Sequence, residues 1–397
     1  MRVGIDVRPL MNDVRTGIGE YTHFLLDTIF DIDKKNEYFL FYNSGKDVGA
    51  NIPQWTQNNI HYVASRWPNK IFNASIKFFN RPRIKEVDIF FSPNLNFTAL
   101  SPKTKFILTV HDLSFELFPE FFSAKQRLWH KMINPRRQCQ RADIIIAPSE
   151  NTKRDLREIY NIEEKKIKVI YPGICHPDPP QGGEGSLFTA GSIIPPTGVE
   201  LNCKLAPQPA FGGIMEPANS NPYILFLGTI EPRKNIIGLI EAFEKACPSL
   251  PAPYTLVIAG AAGWNNKQIY ERAKNSPIKD KIKILGYVRP EEKPALYAGA
   301  ALFCYPSIYE GFGFPVLEAM SAGTPVLTSN RSSLPEITSG AAHLVNPNNV
   351  SDMAAGIINI LTNEKLRNFL KEKGQEQAAK FLWQEAAEKF LSVIRSL

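Results

Sequence analysis

Short apolar runs alternate along the chain with longer stretches in which apolar residues recur every three or four positions. The runs predict strands buried on both faces, and the longer stretches predict amphipathic helices. Strands are predicted at 2–7, 38–43, 87–93, 105–112, 142–149 and 167–173. A second series is predicted at 223–230, 254–260, 281–288, 301–307, 324–330 and 341–347. Such alternation is typical of an α/β protein with a parallel sheet, and it occurs twice.

Helices are predicted between the strands, at 18–30, 149–160, 236–247 and 294–300, with Ser149 as an N-cap. The pattern predicts two Rossmann-like domains, residues 1–173 and 222–382. A last amphipathic helix, 383–397, is predicted to pack back on the first domain.

A segment of different composition separates the two series. Residues 177–220 contain eight prolines and seven glycines but only five charged residues. This composition predicts an interdomain linker or insert, assigned to 174–221, rather than a helix or strand. The segment could form a mobile flap or have no role, and both alternatives stay open.

The composition of the 397 residues, 44% hydrophobic and 21% charged, predicts a folded protein with two cores. No apolar run reaches the roughly 18 to 20 residues that span a bilayer, and the first residues lack the features of a signal peptide. The five cysteines show no CxxC spacing, which disfavours a metal or disulfide framework. A cytoplasmic location is therefore expected.

The net charge of +7 lies wholly in the first half. Residues 1–170 hold 26 basic and 19 acidic side chains, whereas the remainder holds 20 of each. A basic half suggests phosphates or anionic lipid as partners, although simple solubility explains it equally well. Nucleic acid is disfavoured because no module that reads it is recognisable.

The first candidate site feature is a glycine turn after the first predicted strand. Gly17 and Gly19 lie where that strand is predicted to lead into a helix, at the sheet edge where such folds bind ligands. Glycine there permits a close approach of phosphate to a helix N-terminus, but a plain tight turn is the alternative. The third glycine of the dinucleotide fingerprint is missing, which disfavours a nicotinamide enzyme.

The second feature is a pair of cations at the first strand-to-helix turn of the second domain. Arg233 and Lys234 follow the strand 223–230 directly. Arginine binds phosphate through a fork and lysine as a point charge, so the pair could neutralise a diphosphate. A solvated basic pair is the alternative.

The third feature is the stretch "EGFGFPVLE", in which Glu310 and Glu318 flank a predicted helix start. The backbone N–H groups of 311–314 would lie between the two carboxylates. A nucleoside diphosphate sugar has the matching layout, because its ribose and sugar diols donate hydrogen bonds and its phosphates accept them. Two glutamates that stabilise a helix start through its dipole are the alternative.

These residues carry a resemblance. "EGFGFPVLEAMSAGTPVL" resembles the Glu-x7-Glu signature of the retaining glycosyltransferases of family 4, also called glycosyltransferase group 1. "LGTIEPRKNI" and "ADIIIAPSENTKRDL" resemble the same family, and "TGIGEYT" and "TVHDLSFELFPEFF" resemble its bacterial mannosyltransferase members. The resemblance covers about 1–173 and 222–397. It implies a GT-B fold, in which two Rossmann-like domains face each other across a ligand cleft, with 1–173 on the acceptor side and 222–382 on the donor side.

Roles for the singled-out residues follow from this resemblance. It implies that Glu310 holds the donor sugar, that Glu318 holds the ribose and that Arg233 and Lys234 bind the diphosphate. The Gly17 loop, with Gly19, would close over the donor phosphate. His111 would lie near the reaction centre, where a buried structural histidine is the alternative, and Asp112 would hold its loop. The further donor contacts implied are Gly311, Phe312, Gly313, Phe314, Leu317, Tyr287 and Val288.

The resemblance also implies the chemistry. A hexose, with mannose favoured, would pass from a nucleoside diphosphate sugar such as GDP-mannose with retention of anomeric configuration. Because Arg233, Lys234 and a helix N-terminus would stabilise the leaving diphosphate, neither a metal nor another cofactor is expected. A glucose or N-acetylhexosamine donor, and a non-catalytic sugar-nucleotide-binding protein, are the alternatives.

The acceptor is expected to be a glycan or a polyprenol-linked sugar in the synthesis of a cell-surface polysaccharide. Two stretches of the basic half, 67–85 and 121–143, mix basic with apolar side chains. They would suit peripheral contact with an anionic inner-membrane face. Ordinary solvated helix faces are the alternative.

Overall fold

The computed structural model describes residues 1–12, 15–46, 48–49, 51–79, 81, 84, 86–174 and 221–397. The predicted linker, 174–221, lies almost entirely outside the described residues, so its role stays a prediction.

Within the described residues, the first half of the chain forms a parallel sheet of seven strands in the order β3-β2-β1-β4-β5-β6-β7. The strands are β1 Arg2–Asp6, β2 Glu37–Asn43, β3 Ile60–Ser65, β4 Ile89–Ser92, β5 Lys105–Thr109, β6 Ile144–Ala147 and β7 Ile167–Val169. The edge strand β3 was not predicted. Its residues are mostly exposed, so it lacks the continuous apolar run that identified the central strands.

The helices of this half are α1 Gly17–Ile32, α2 Asn69–Phe79, α3 Ser114–Leu117, α4 Ala124–Ile133, α5 Pro135–Arg141 and α6 Glu150–Tyr160. The predicted N-cap of α6 is confirmed, because Ser149 Oγ accepts a hydrogen bond from the Thr152 N–H at 3.1 Å.

The second half forms a parallel sheet whose six described strands have the order β10-β9-β8-β11-β12-β13. They are β8 Tyr223–Leu227, β9 Thr255–Ala259, β10 Ile282–Gly286, β11 Leu302–Tyr305, β12 Val326–Ser329 and β13 His343–Val345. The helices are α7 Ile236–Ala246, α8 Lys267–Lys274, α9 Lys293–Ala298, α10 Phe314–Ser321, α11 Leu334–Thr338, α12 Val350–Thr362, α13 Glu364–Ala378 and α14 Trp383–Arg395.

Each sheet changes direction of strand order at one point, between β1 and β4 in the first and between β8 and β11 in the second. The crevice at the carboxyl ends of such strands is where open α/β sheets bind ligands. The loops that follow β8 and β11 carry Arg233 and Glu310, so the order of strands brings these distant residues together.

The last helix, α14, follows the second sheet in sequence but packs in the core of the first. Its Phe390 ring lies 4.5 Å from the ring of Phe91 on β4, and its Trp383 and Ile394 are buried in the same cluster. The chain therefore crosses back to the first half before it ends.

Candidate active site

Two cations and two carboxylates meet after β8 and β11. Lys234 Nζ lies 2.6 Å from Glu310 Oε1, and Arg233 Nη1 lies 3.0 Å from Glu310 Oε2. Arg233 Nη2 also contacts Glu231 Oε1 at 2.7 Å. All four side chains are at most 13% exposed, so the cluster is largely desolvated and its formal charge sums to zero. The cations are therefore held in fixed directions by carboxylates.

These contacts leave a defined set of hydrogen-bonding groups. The Arg233 guanidinium also donates to the Tyr309 carbonyl, and Lys234 Nζ also donates to the Tyr305 hydroxyl. Because guanidinium has five N–H groups and ammonium three, each cation keeps one N–H that no described residue accepts. Glu310 Oε1 also accepts from Ser307, so Oε2 is the oxygen with room for another donor.

The charges in this cluster shift one another's protonation. Burial alone would raise the pKa of Glu310, but Arg233 and Lys234 overcome it and lower the pKa to about 2. Burial would lower the pKa of Arg233, but Glu310 and Glu231 raise it well above its usual value. Burial and the neighbouring Arg233 lower the pKa of Lys234. Glu310 is thus firmly ionised.

Glu231 is a member of this cluster that the sequence interpretation did not assign. It is 1% exposed, and its Oε2 has no hydrogen-bond partner among the described residues. Its Oε1 receives both Nε and Nη2 of Arg233, at 3.2 and 2.7 Å. The sequence signal that could have identified Glu231 is an acidic residue two positions before an arginine at the end of a strand.

The loop between Glu310 and α10 has the backbone donors that the sequence predicted. Among the described residues, no acceptor faces the N–H groups of Gly311, Phe312, Gly313 or Phe314. Gly313 has a φ of 122°, a conformation open to glycine but strained for other residues. The Gly311 carbonyl is fixed by Ser149 Oγ at 2.7 Å, across the cleft.

His111 meets this loop from the first half of the molecule. A Cβ placed on Gly311 would lie 1.9 Å from the His111 carbonyl oxygen, so the two backbones touch. His111 Nε2 donates to the Pro93 carbonyl at 2.8 Å, and its ring meets Tyr21 edge-on at 4.9 Å. Burial lowers the pKa of His111 despite Pro93 and Asp112, which favours a neutral imidazole. Asp112 accepts hydrogen bonds from the N–H and hydroxyl of Ser114, and so fixes the turn after His111.

Glu318 lies one turn into α10 and points to a second charged group. The Tyr297 hydroxyl donates to Glu318 Oε2 at 2.8 Å. Lys293, one helical turn before Tyr297, pairs with Glu20 of α1 at 3.1 Å. Burial would lower the pKa of Lys293, but Glu318 and Glu20 outweigh it and raise the pKa. Neither Glu20 nor Lys293 was singled out in the sequence, because an acid in a first turn and a lysine before a helix are common surface features.

The glycines of the first half are placed differently from each other. Gly17 is the first residue of α1, and a Cβ there would meet nothing within 4 Å. Gly19 is buried within the first turn of α1, where a Cβ would lie 3.2 Å from the Pro9 carbonyl. Gly19 therefore lies inside the helix predicted over 18–30, where its small size allows close packing against Pro9, and its contact with the donor stays a prediction.

The other predicted contacts with the donor substrate differ in how far their side chains are exposed. The Leu317 side chain is 0% exposed and lies in the core of the second half, so only its backbone is left to meet a ligand, and its donor contact stays a prediction. It occupies the inner face of α10, whereas Glu318 occupies the outer face. Tyr287, 48% exposed, and Val288, 9% exposed, follow β10 at the carboxyl edge of the sheet.

Further hydrogen bonds join the halves around the site. The Glu336 carboxylate of α11 accepts from the N–H groups of Glu150 and Asn151 at 2.7 and 3.1 Å, and from the Tyr171 hydroxyl at 2.8 Å. It thus caps the first turn of α6 from the other half of the molecule. The Tyr309 hydroxyl, in the loop before α10, donates a hydrogen bond to Asp155 of α6.

The two mixed stretches of the basic half present apolar side chains to solvent. On and before α2, Trp67 is 45%, Ile71 56% and Phe78 72% exposed, and Lys70 and Lys77 flank them. On α4, Leu128 is 57% exposed beside Arg127 and Lys131. Among the described helices, none combines the length and apolar character needed to cross a membrane.

A cavity of about 280 Å³ lies beneath α2, at the carboxyl ends of β1, β2 and β3. Its lining is mainly apolar and includes Phe41, Val63, Trp67, Phe72, Ile76 and Phe90. The polar side chains at its wall include Arg8, which pairs with Asp6 at 2.7 Å and donates to the Phe97 carbonyl. The cavity therefore suits an apolar group.

The chain is similar in sequence to known glycosyltransferases. The family model of the glycosyl transferases group 1 matches residues 214–377, and that of glycosyltransferase family 4 matches 47–176. The O-antigen chain mannosyltransferase B of Escherichia coli is 30% identical over 292 residues, covering 73% of this chain and 70% of that protein. The serotype-specific mannosyltransferase WbdA of Escherichia coli is 35% identical over 167 residues, which are 42% of this chain but 20% of that protein.

A solved structure has the same architecture. The sucrose-phosphate synthase from Thermosynechococcus elongatus matches with a TM-score of 0.70 over 100% of this chain and 98% of that chain. At 17% sequence identity this likeness shows the fold alone, and it confirms the predicted pair of Rossmann-like halves. The chain therefore belongs to the group 1 glycosyltransferases of family 4, and it is a hexosyltransferase with a GT-B fold.

Proposed function

We propose that the chain transfers mannose from GDP-mannose to a growing glycan or polyprenol-linked acceptor, with retention of configuration, in the synthesis of a cell-surface polysaccharide. The observation that carries this proposal is the convergence of Arg233 and Lys234 on Glu310, beside the unpaired N–H groups of 311–314. The mannosyltransferases of Escherichia coli that resemble the chain support mannose as the sugar.

The cluster assigns each part of the donor a partner. The diphosphate takes the remaining N–H donors of Arg233 and Lys234 together with the backbone donors of 311–314. Glu310 Oε2 accepts a hydrogen bond from a sugar hydroxyl, and Glu318 accepts from the ribose diol. Because fixed donors face the oxygen where charge develops, the leaving diphosphate is stabilised without a metal ion.

Retention follows from a front-face exchange. The bond between the anomeric carbon and the phosphate oxygen breaks, and the bond to the acceptor hydroxyl oxygen forms on the same face. The acceptor proton passes to the leaving phosphate oxygen. His111 holds its loop against Gly311 near this centre, and its Nε2 is engaged by the Pro93 carbonyl, so its part in the proposed reaction is to orient the site.

The acceptor binds the first half of the molecule. The apolar cavity beneath α2 receives the lipid portion of a polyprenol-linked acceptor, and the exposed Trp67, Ile71 and Phe78 rest on the membrane surface. Lys70 and Lys77 beside them attract anionic headgroups. The enzyme thus works at the cytoplasmic face of the membrane.

The test is hydrolysis of the donor in the absence of acceptor. Purified protein with excess EDTA is incubated with GDP-mannose, UDP-glucose or UDP-N-acetylglucosamine, and nucleotide release is measured. We expect slow release of GDP from GDP-mannose, and α-mannose as the first anomer in the NMR spectrum. Release from a UDP sugar instead would replace mannose as the substrate. First-formed β-mannose, or strict dependence on Mg²⁺, would contradict the mechanism.

A further inference from the structure

One ion pair joins the two halves of the molecule at the ribose end of the candidate site. Lys293 Nζ at the start of α9 lies 3.1 Å from Glu20 Oε1 on α1, across 273 residues of sequence. The two side chains are 22% and 24% exposed. Their partial burial distinguishes this pair from freely solvated surface pairs, whose contribution is small.

The lysine of this pair also interacts electrostatically with Glu318. Lys293 and Tyr297 stand one turn apart on α9, and the Tyr297 hydroxyl holds Glu318 Oε2 at 2.8 Å. The charge of Glu318 acts on Lys293 alongside that of Glu20. One ammonium therefore lies between a carboxylate of each half of the molecule.

The other member of the pair, Glu20, lies in the first turn of α1. Glu20 is the fourth residue of this helix, and its N–H bonds to the Thr16 carbonyl at 2.8 Å. In the described part of the chain, no acceptor faces the N–H groups of Gly17, Ile18 and Gly19, and Thr16 provides no side-chain cap. Whatever holds Glu20 in place also sets where these three donors point.

We propose that Lys293 and Glu20 form an interdomain latch that positions the first turn of α1 over the nucleoside diphosphate of the donor. This inference rests on the proposed function, because it takes the donor to lie between Glu318 and the start of α1. The latch connects α9, whose Tyr297 holds the proposed ribose contact Glu318, to α1 of the other half. It acts through these elements and takes no part in the bond exchange.

The latch is tested by affinity for GDP, measured by calorimetry on the full chain. Glu20→Gln and Lys293→Met should each weaken GDP binding about fivefold, the low end of common coupling energies between sites. The double variant should be no weaker than either single variant, because both remove one interaction. The charge swap Glu20→Lys with Lys293→Glu should recover part of the affinity.

The matched control is another partly buried ion pair in the donor half. Arg272 Nη2 lies 2.5 Å from Glu244 Oε2, with the side chains 25% and 18% exposed. Glu244→Gln and Arg272→Met should leave GDP affinity unchanged. Single-variant losses that multiply in the double variant, or unchanged affinity in all latch variants, would overturn the latch.

The same experiment separates the latch from the proposed function. A wild-type chain that binds GDP, loses affinity in the latch variants and transfers no sugar from GDP-mannose would support the latch and refute the mannosyl proposal. Normal transfer with unaffected GDP affinity in the variants would do the reverse. A wild-type chain that binds no GDP at all would refute both.

Discussion

At the scale of single residues, Glu310 is the centre of the candidate site. Its two oxygens receive Lys234, Ser307 and Arg233, and its carboxylate stays ionised far below neutral pH. It therefore orients both cations, and in the proposed reaction it also offers Oε2 to the sugar. An uncharged amide of the same shape performs neither well.

We expect Glu310→Gln to lower kcat for GDP-mannose about 100-fold to 1000-fold, the usual cost of removing one preorganised electrostatic contact. Steady-state kinetics with a coupled assay for GDP measures this change. Glu244→Gln, which alters a carboxylate paired with Arg272 in the same half, should retain wild-type kcat. A normal kcat in Glu310→Gln with an intact fold would remove its assigned role.

Gly311 is required for a steric reason. Because a Cβ at this position would lie 1.9 Å from the His111 carbonyl oxygen, Gly311→Ala must push the two halves apart. We expect loss of transfer and a lower melting temperature. Gly45→Ala serves as the control, since its Cβ would have no neighbour closer than 3.7 Å. Equal activity of the two variants would show that the halves do not meet as described.

His23 carries a pH dependence of stability. Burial and the neighbouring Arg15 together lower its pKa from 6.5 to about 4, against the opposing effect of Asp27. A folded pKa below the unfolded value gives stability that is complete above pH 6.5 and is lost as pH falls toward 4. The difference in free energy of unfolding between wild type and His23→Gln should therefore shrink over this range. Urea denaturation at pH 7, 6, 5 and 4.5 checks it, and a constant difference would contradict the sign.

At the scale of elements, α6 depends on a cap from the other half of the molecule. Glu336 accepts from two N–H groups in its first turn, and a carboxylate there also meets the positive end of the helix dipole. Glu336→Ala should cost about 1 kcal/mol of unfolding free energy, as the loss of an N-cap does. Glu336→Gln should cost less, because it keeps one acceptor. Equal losses in denaturant titrations of the two variants would argue against capping.

The strands were the features that the sequence predicted best. Each strand predicted from an apolar run corresponds to a strand in the structure, because central parallel strands are buried on both faces and their sequences show it. β3 was missed because an edge strand with mostly exposed residues has no such run. The burial of the Leu317 side chain was not predicted, although a helix places adjacent residues such as Leu317 and Glu318 on different faces.

Contacts between the halves were beyond the sequence interpretation. Glu336 meets α6 across 186 residues, and Lys293 meets Glu20 across 273. A pair at such separation leaves no local pattern, since neither spacing nor periodicity links the two positions. Glu310, Arg233 and Lys234 were identifiable because each lies in a local stretch that resembles a known family.

At the scale of the whole molecule, the two halves divide the work. The second half presents the fixed cluster around Glu310, whereas residues 1–170 of the first half hold 26 basic and 19 acidic side chains, a surplus of seven positive charges. α14 packs in that first half although it ends the chain, and it joins the halves a second time. This arrangement leaves a cleft between the halves, in which we propose that the nucleoside diphosphate sugar binds.

The most direct test of that placement is heat stabilisation by nucleotide sugars, because a ligand that binds the folded state raises the apparent stability. GDP-mannose at 100 times its dissociation constant should stabilise the wild-type chain by about 2.7 kcal/mol. UDP-glucose and UDP-N-acetylglucosamine at the same concentration should stabilise it less, and Glu318→Gln should respond weakly to all three. If no donor raises the melting temperature, or if Glu318→Gln responds as the wild type does, the donor does not bind between Glu310 and Glu318.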